Sequence, residues 1–140
     1  MPAVRKTQLQ YSQDTNFVLF GIVTPLPDYR TAWLVNQALG IRLVRQPDLQ
    51  TTQSEQRTSF SCFKCEQPLI HSVYYLISNK WEGAVYDKTN KMTDYILLLQ
   101  GAYYQESKQL IQHKLSEEAA FQAVLNLEAS KQKHIAIYQL

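Results

Sequence analysis

Apolar positions in this chain come in short runs, separated by proline, glycine and polar clusters. Residues 17–23 (FVLFGIV) are apolar around a single glycine, Gly21. That pattern predicts a strand buried on both faces. Pro25 and Pro27 cannot extend its ladder, because proline has no N–H to donate. Asp28 or Thr24 can accept from the free amides of a helix's first turn. Gly40 stands where a helix would end in a left-handed residue. Between them the spacing predicts a helix of about three turns. At about 100° per residue its apolar arc holds Tyr29, Ala32, Trp33, Val35, Asn36 and Leu39, and Arg30 and Gln37 face water. An amide on an apolar face must find partners or cost roughly 1–3 kcal/mol. Asn36 is therefore expected to tie the helix to a neighbouring backbone segment, with ligand contact as the alternative.

The remaining pattern is mostly strand. Residues 4–10 alternate weakly, as an edge strand would. Residues 41–44 predict a strand stopped by Pro47 and Asp48, and 50–58 (QTTQSEQRT) lack periodicity and read as a mobile surface loop. Residues 59–65 alternate, and 70–78 (IHSVYYLIS) are β-branched and aromatic, which predicts a strand. A short strand at 81–86, a polar connection at 87–92 and a strand at 93–100 (TDYILLLQ) follow, closed by Gly101. Residues 103–115 predict a helix with Tyr104, Leu110, Ile111 and Leu115 on one stripe, and Ser116 before Glu117 and Glu118 can cap a further helix. Residues 121–127 satisfy helix and strand patterns equally, and 134–138 (HIAIY) suit a last short strand. The whole predicts one globular α+β domain. Its sheet is mainly antiparallel, with one early helix and one or two late helices packed on one face.

Composition narrows the function classes. Fourteen basic and twelve acidic residues leave a net charge of +2, too balanced to imply a polyanionic partner. Phe63, Lys64, Tyr74, Tyr75 and Lys80 could stack bases, but the cations are dispersed, and the expectation is no nucleic acid. No apolar run approaches about 20 residues, and MPAVRKTQLQ lacks a signal peptide's apolar core. We therefore expect a cytoplasmic protein with no membrane association, whose two cysteines are thiols.

Candidate chemistry is sparse. Cys62 and Cys65 have metal-like spacing, with His71 as a possible third ligand. A structural zinc site needs four ligands, and residues three apart on a strand point to opposite faces. No metal is expected. His71, His113 and His134 sit on separate elements, no G-x-S-x-G elbow occurs, and four glycines leave little scope for a phosphate loop. No catalytic residue and no cofactor are expected. Asp94, opening a strand, is expected to cap a turn or pair with Arg30 or Arg42.

Several residues carry a resemblance. They are Gly21 and Ile22, Asp28-Tyr29-Arg30, Trp33, Asn36, Leu39-Gly40, Asp48-Leu49, Ser78-Asn79-Lys80, Asp94-Tyr95 and Gly101. Together they resemble the small bacterial proteins of the IPExxxVDY family, over about residues 9–137. Of the namesake motif only Asp94-Tyr95 is kept: the I-P-E positions hold Asp87, Lys88 and Thr89, and the V position holds Thr93. The chain thus looks like a divergent member. The resemblance implies a cytoplasmic location and supplies no activity or catalytic residue. It reads as a set of fold determinants: a helix cap, an aromatic core anchor (Trp33), a buried amide and a turn.

Two functional readings follow. Nine tyrosines, a residue type favoured at interfaces, point to a non-enzymatic protein-interaction module. It would act on a protein partner or by self-association as a homodimer. The alternative is a small-molecule binding domain with a pocket between the first helix and the sheet. Tyr29, Trp33, Asn36 and Asp94 are its candidate ligand-binding residues.

Overall fold

The computed structural model describes residues 17–101, 104–128, 135–138 and 140; the strand expected at 4–10 lies outside the described residues. Strand β1 (Phe17–Val23) leads into helix α1 (Asp28–Leu39). Strands β2 (Val44–Gln53), β3 (Gln56–Gln67) and β4 (Ser72–Ser78) follow, with a 3-10 turn at Pro68–Ile70. A small hairpin of β5 (Lys80–Trp81) and β6 (Ala84–Val85) and a 3-10 turn at Lys88–Asn90 precede β7 (Tyr95–Gln100). Helix α2 (Tyr104–Ser116), strand β8 (Ala123–Leu127) and a 3-10 turn at Ile135–Tyr138 complete the order.

The main sheet has six strands in the order β2-β3-β4-β7-β1-β8, and every neighbouring pair is antiparallel. Both helices lie on one face. Ala32, Leu34 and Val35 of α1 and Ile111 and Leu115 of α2 pack there on Phe20, Ile22, Leu76, Leu97 and Leu99. The α+β architecture is the expected one, with one early and one late helix. The opposite face is also covered. Leu19, Phe60, Cys62, Tyr75, Ile77, Ile96 and Leu98 form a second cluster under Tyr86 and Tyr138. Strands β1, β4 and β7 are therefore buried on both faces, which explains their nearly continuous apolar runs.

Several boundaries differ from expectation, each for a local reason. The polar stretch 50–58 is a hairpin and not a loop. Ser54 and Glu55 both take positive φ (49° and 65°), the two-residue turn whose twist matches that of paired strands. Its side chains are polar because this end of the sheet projects beyond the core, and Thr51 and Thr58 there share a hydroxyl hydrogen bond of 2.5 Å. Pro47 does not stop β2, because an irregularity in the register between Gln46 and Leu49 absorbs it, on an edge strand where a missing N–H is tolerated. Ser116 caps no further helix. Its hydroxyl donates to the Gln112 carbonyl at the end of α2, and residues 123–127 pair with β1 as a strand. The C-terminal residues expected as a strand form the 3-10 turn that places Tyr138 in the core.

Helix α1 is rotated relative to its predicted arc. Its buried side chains are Thr31, Ala32, Leu34 and Val35, whereas Tyr29 is 69 % and Trp33 53 % exposed. Small and branched side chains let the helix approach the filled sheet. The two large rings, weighted as apolar in the pattern, lie outside, and the Arg30 guanidinium sits 5.9 Å from the Trp33 ring centroid. Neither Asp28 nor Thr24 takes the helix's N-cap position, which Pro27 occupies with no side-chain bond, but Asp28 accepts a free first-turn amide as expected, the Tyr29 N–H at 2.7 Å. Gly40 does end it, with φ 64° and its N–H donated to the Asn36 carbonyl.

The connection from Asn79 to Asp94 folds back over the second face and is knotted by one amide. Asn79 is fully buried. Its Nδ2 donates to the carbonyls of Asn90 and Thr93, at 2.9 and 3.0 Å, and its Oδ1 accepts the Asp87 N–H at 2.7 Å. Asp87, also buried, accepts the Thr89 N–H, the Asn90 amide and the Tyr138 hydroxyl. Tyr86 donates its hydroxyl to the Ile137 carbonyl.

Three outcomes follow from this packing. Asn79→Ala strands several buried partners and should lose about 2–4 kcal/mol in urea unfolding; a loss under about 1 kcal/mol would show that the backbone bonds alone hold the loop. Gly21→Ala would place a Cβ 2.2 Å from Thr93 Cγ2, so it should also destabilise, with a lowered melting temperature. Finally, burial pushes the Tyr86 hydroxyl up to about 12 from an ordinary 10.0, and burial together with the Asp87 bond raises Tyr138 further. A raised acid stabilises the fold fully below its unfolded value. That contribution is lost as pH rises from 10.0 through about 12. Tyr86→Phe should flatten the alkaline decline in denaturant midpoint, and an unchanged slope would count against it.

Candidate functional site

Among the described residues, two depressions on the helical face lie at opposite ends of the central strands. The first is apolar. Helix α1 ends at Leu39, and α2 passes beside it over the start of β4. The gap between them has Ser72 and Tyr74 as its floor, and Leu39, Ile70, Leu110 and Ile111 as its walls. Its volume is about 390 Å³. Lys114 is the one charged residue in its lining. The rim is built by the turn Pro68–Ile70, which opens with proline and closes with His71 in the left-handed region (φ 51°). That tight turn leaves Leu69 98 % and Ile70 48 % exposed, beside Leu110 at 56 % on α2.

The second depression is polar and lies at the N-terminal end of α1, with a volume of about 290 Å³. Its lining comes from α1, β2, β3, β4, β5 and β7. Arg45 bonds Asp48 at 2.5 Å, and the Ser59 hydroxyl donates to the other Asp48 oxygen at 2.5 Å. These bonds, that from Ser59 first, hold the Asp48 carboxyl below its usual range. They also pin the irregular segment around Pro47. The Arg45 guanidinium lies 5.5 Å from the Phe63 ring centroid. Lys80 pairs with Asp94 at 2.8 Å. Tyr95 donates its hydroxyl to the Leu26 carbonyl at 2.6 Å, and burial pushes that hydroxyl's pKa up.

The four residues singled out from the sequence are not brought together. Tyr29 and Trp33 stand on the outer side of α1. Asn36 is half-buried, and its Oδ1 accepts the Leu43 N–H at 2.9 Å, so it ties the helix to the following backbone as expected. Asp94 accepts the Thr24 N–H at 2.9 Å and pairs with Lys80, not with Arg30 or Arg42. None of the four lines either depression, and Asp94 reaches the polar one only through Lys80. The sequence reading missed the groove because four separate segments build it. Its one local signal was the apolar pair Leu69-Ile70 after Pro68.

Cys62 and Cys65 lie on opposite faces of β3, one in each core cluster, and burial raises the Cys62 thiol. Among the described residues no group of three or more His, Cys, Asp or Glu is placed to hold a metal ion. No helix among them is long and apolar enough to cross a membrane. No protein-family model matches the chain, and no curated protein matches it.

Proposed function

We propose that this chain is a non-enzymatic protein-interaction module, whose groove between α1 and α2 receives an amphipathic segment of a partner protein. The observation that carries this reading is the groove of about 390 Å³ whose lining residues Ile70 and Leu110 stand exposed, with the exposed Leu69 next to Ile70 in the chain. Exposed apolar side chains around a concave groove with mainly apolar walls are the arrangement that buries a partner's anchor residue. Amphipathic helices dock in this way, with anchors at successive turns. Lys114 at the groove selects the partner's charge: an acidic residue beside the anchor meets it, and a basic one is repelled. Tyr29, Arg30 and Trp33, on the outer side of α1, are of the types that dominate binding energy at interfaces and offer a second contact for a larger partner. Within this proposal the chain is a cytoplasmic, divergent relative of the IPExxxVDY proteins.

The test uses a library of displayed amphipathic peptides. Selection should return segments with a bulky aliphatic anchor and a neighbouring Asp or Glu. Leu110→Glu should weaken the selected peptides at least about tenfold, roughly 1.4 kcal/mol, while thermal stability stays within about 0.5 kcal/mol, because the side chain is exposed. Lys114→Glu should shift selection toward basic neighbours. Peptides that bind Leu110→Glu as well as the parent would remove the groove from the reading. Saturable binding between copies of the chain, abolished by Leu110→Glu, would make the partner a second copy.

A further inference from the structure

The polar depression at the other end of α1 has a chemistry of its own. Asp28 and Asp48 stand beside Arg45 and Lys80 in the lining, and both cations already hold carboxylates, Arg45 with Asp48 and Lys80 with Asp94 from outside the lining. Among the described residues Asp28 is left without an ion pair, and its Oδ1 accepts the Tyr29 N–H at 2.7 Å. An anionic ligand would compete with Asp48 and Asp94 for those cations and would face Asp28, and a cationic one would face Arg45 and Lys80. The groups left to meet a ligand are the serine hydroxyls and the Asp28 carboxylate, which can accept from a ligand hydroxyl. Ser59 spends its proton on Asp48, and Ser78 spends its proton on the Lys80 carbonyl, at 3.0 Å. Both keep lone pairs that can accept. The Ser61 side chain makes no hydrogen bond among the described residues and keeps its proton. A ligand group that donates to Ser59 and Ser78 and accepts from Ser61 must do both, as a hydroxyl does. The Trp81 ring adds an apolar wall. A volume of about 290 Å³ holds roughly ten water-sized groups.

We propose that this depression binds a small neutral polyhydroxylated ring, a monosaccharide or cyclitol. The ring's hydroxyls meet the serines, and its carbon–hydrogen face lies against Trp81. The inference is independent of the interaction groove, which lies at the far end of α1.

Two tryptophans occur in the chain, so Trp33→Phe leaves Trp81 as the sole fluorescent reporter. This variant is titrated with methyl glucoside, methyl galactoside, methyl mannoside and myo-inositol, and in parallel with succinate. At least one neutral ring should shift or quench the emission saturably, with a dissociation constant of about 1 mM or tighter, and succinate should not. Adding Ser61→Ala should weaken that ring at least about fivefold with an unchanged melting curve. Adding Leu110→Glu should leave it unaffected. No saturable response to any of the four rings up to about 100 mM, a hundred times that constant, would overturn the proposal. So would saturation by succinate alone, or an equal response in the Ser61→Ala variant.

Discussion

The second face of the sheet stays closed because one buried amide is fully satisfied. Strands β4 and β7 are sheet neighbours, yet the chain between them does not turn tightly. It leaves at Asn79, covers the strands and returns at Asp94. Asn79 makes this detour into one body, bonding its start to its middle at Asp87 and its end at Thr93. A buried carboxylate at Asp87 would be costly alone, but it accepts two donors from its own turn and the Tyr138 hydroxyl from the C-terminal turn. The loop and the C-terminal turn thus hold each other against Phe60, Leu19 and Leu98. The rings of Phe60 and Tyr86 meet nearly edge-on at 5.3 Å, an arrangement aromatic pairs favour.

That closure decides where binding can occur. With one face covered by the loop and the centre of the other by α1 and α2, the two depressions lie at the two ends of the strands. One end is built from apolar side chains left by the turn after Pro68 and by the outer side of α2. The other is built from the serines of β3 and β4, which face the helices beyond the reach of Ala32 and Val35. The same β3 strand supplies Phe63 to the core and Ser59 and Ser61 to the cleft. Two-residue alternation alone places all three on one face.

Much of this frame was legible in the chain. The runs that became β1, β4 and β7 follow from apolar patterning, because those strands are buried along most of their length; the existence of α1 follows from the prolines before it and its closing Gly40. The β2–β3 hairpin was not legible. Its turn is Ser-Glu and not the Asn-Gly or Asp-Gly that signals such turns, and its outer pairs are polar on both faces. The outer side of α1 was misread because Tyr29 and Trp33 count as apolar in any periodicity, although each carries a polar group that suits it to a wet surface. Trp33 is therefore no core anchor. By contrast Asn36 and Asp94 each secure backbone, the structural role expected for them, whereas the knot that Asn79 ties had no local signal. The groove and the cleft each draw on segments far apart in the chain, so no local pattern could reveal them.

Helix α1 is fixed at both ends by bonds to other elements. Near its start the Thr24 hydroxyl donates to the Ala120 carbonyl, the Thr24 N–H reaches Asp94, and the Tyr95 hydroxyl reaches the Leu26 carbonyl. Near its end Asn36 holds the Leu43 N–H. Asp28, in the first turn, lines the polar cleft, and Leu39, in the last, lines the apolar groove. The two lie about 17 Å apart along the axis at 1.5 Å per residue. A helix of this length, tied at both ends and packed through small side chains, moves as a unit if it moves at all. Any displacement of α1 along the sheet therefore changes both depressions together, whereas a change confined to Leu110 or Ser61 alters one and leaves the other intact.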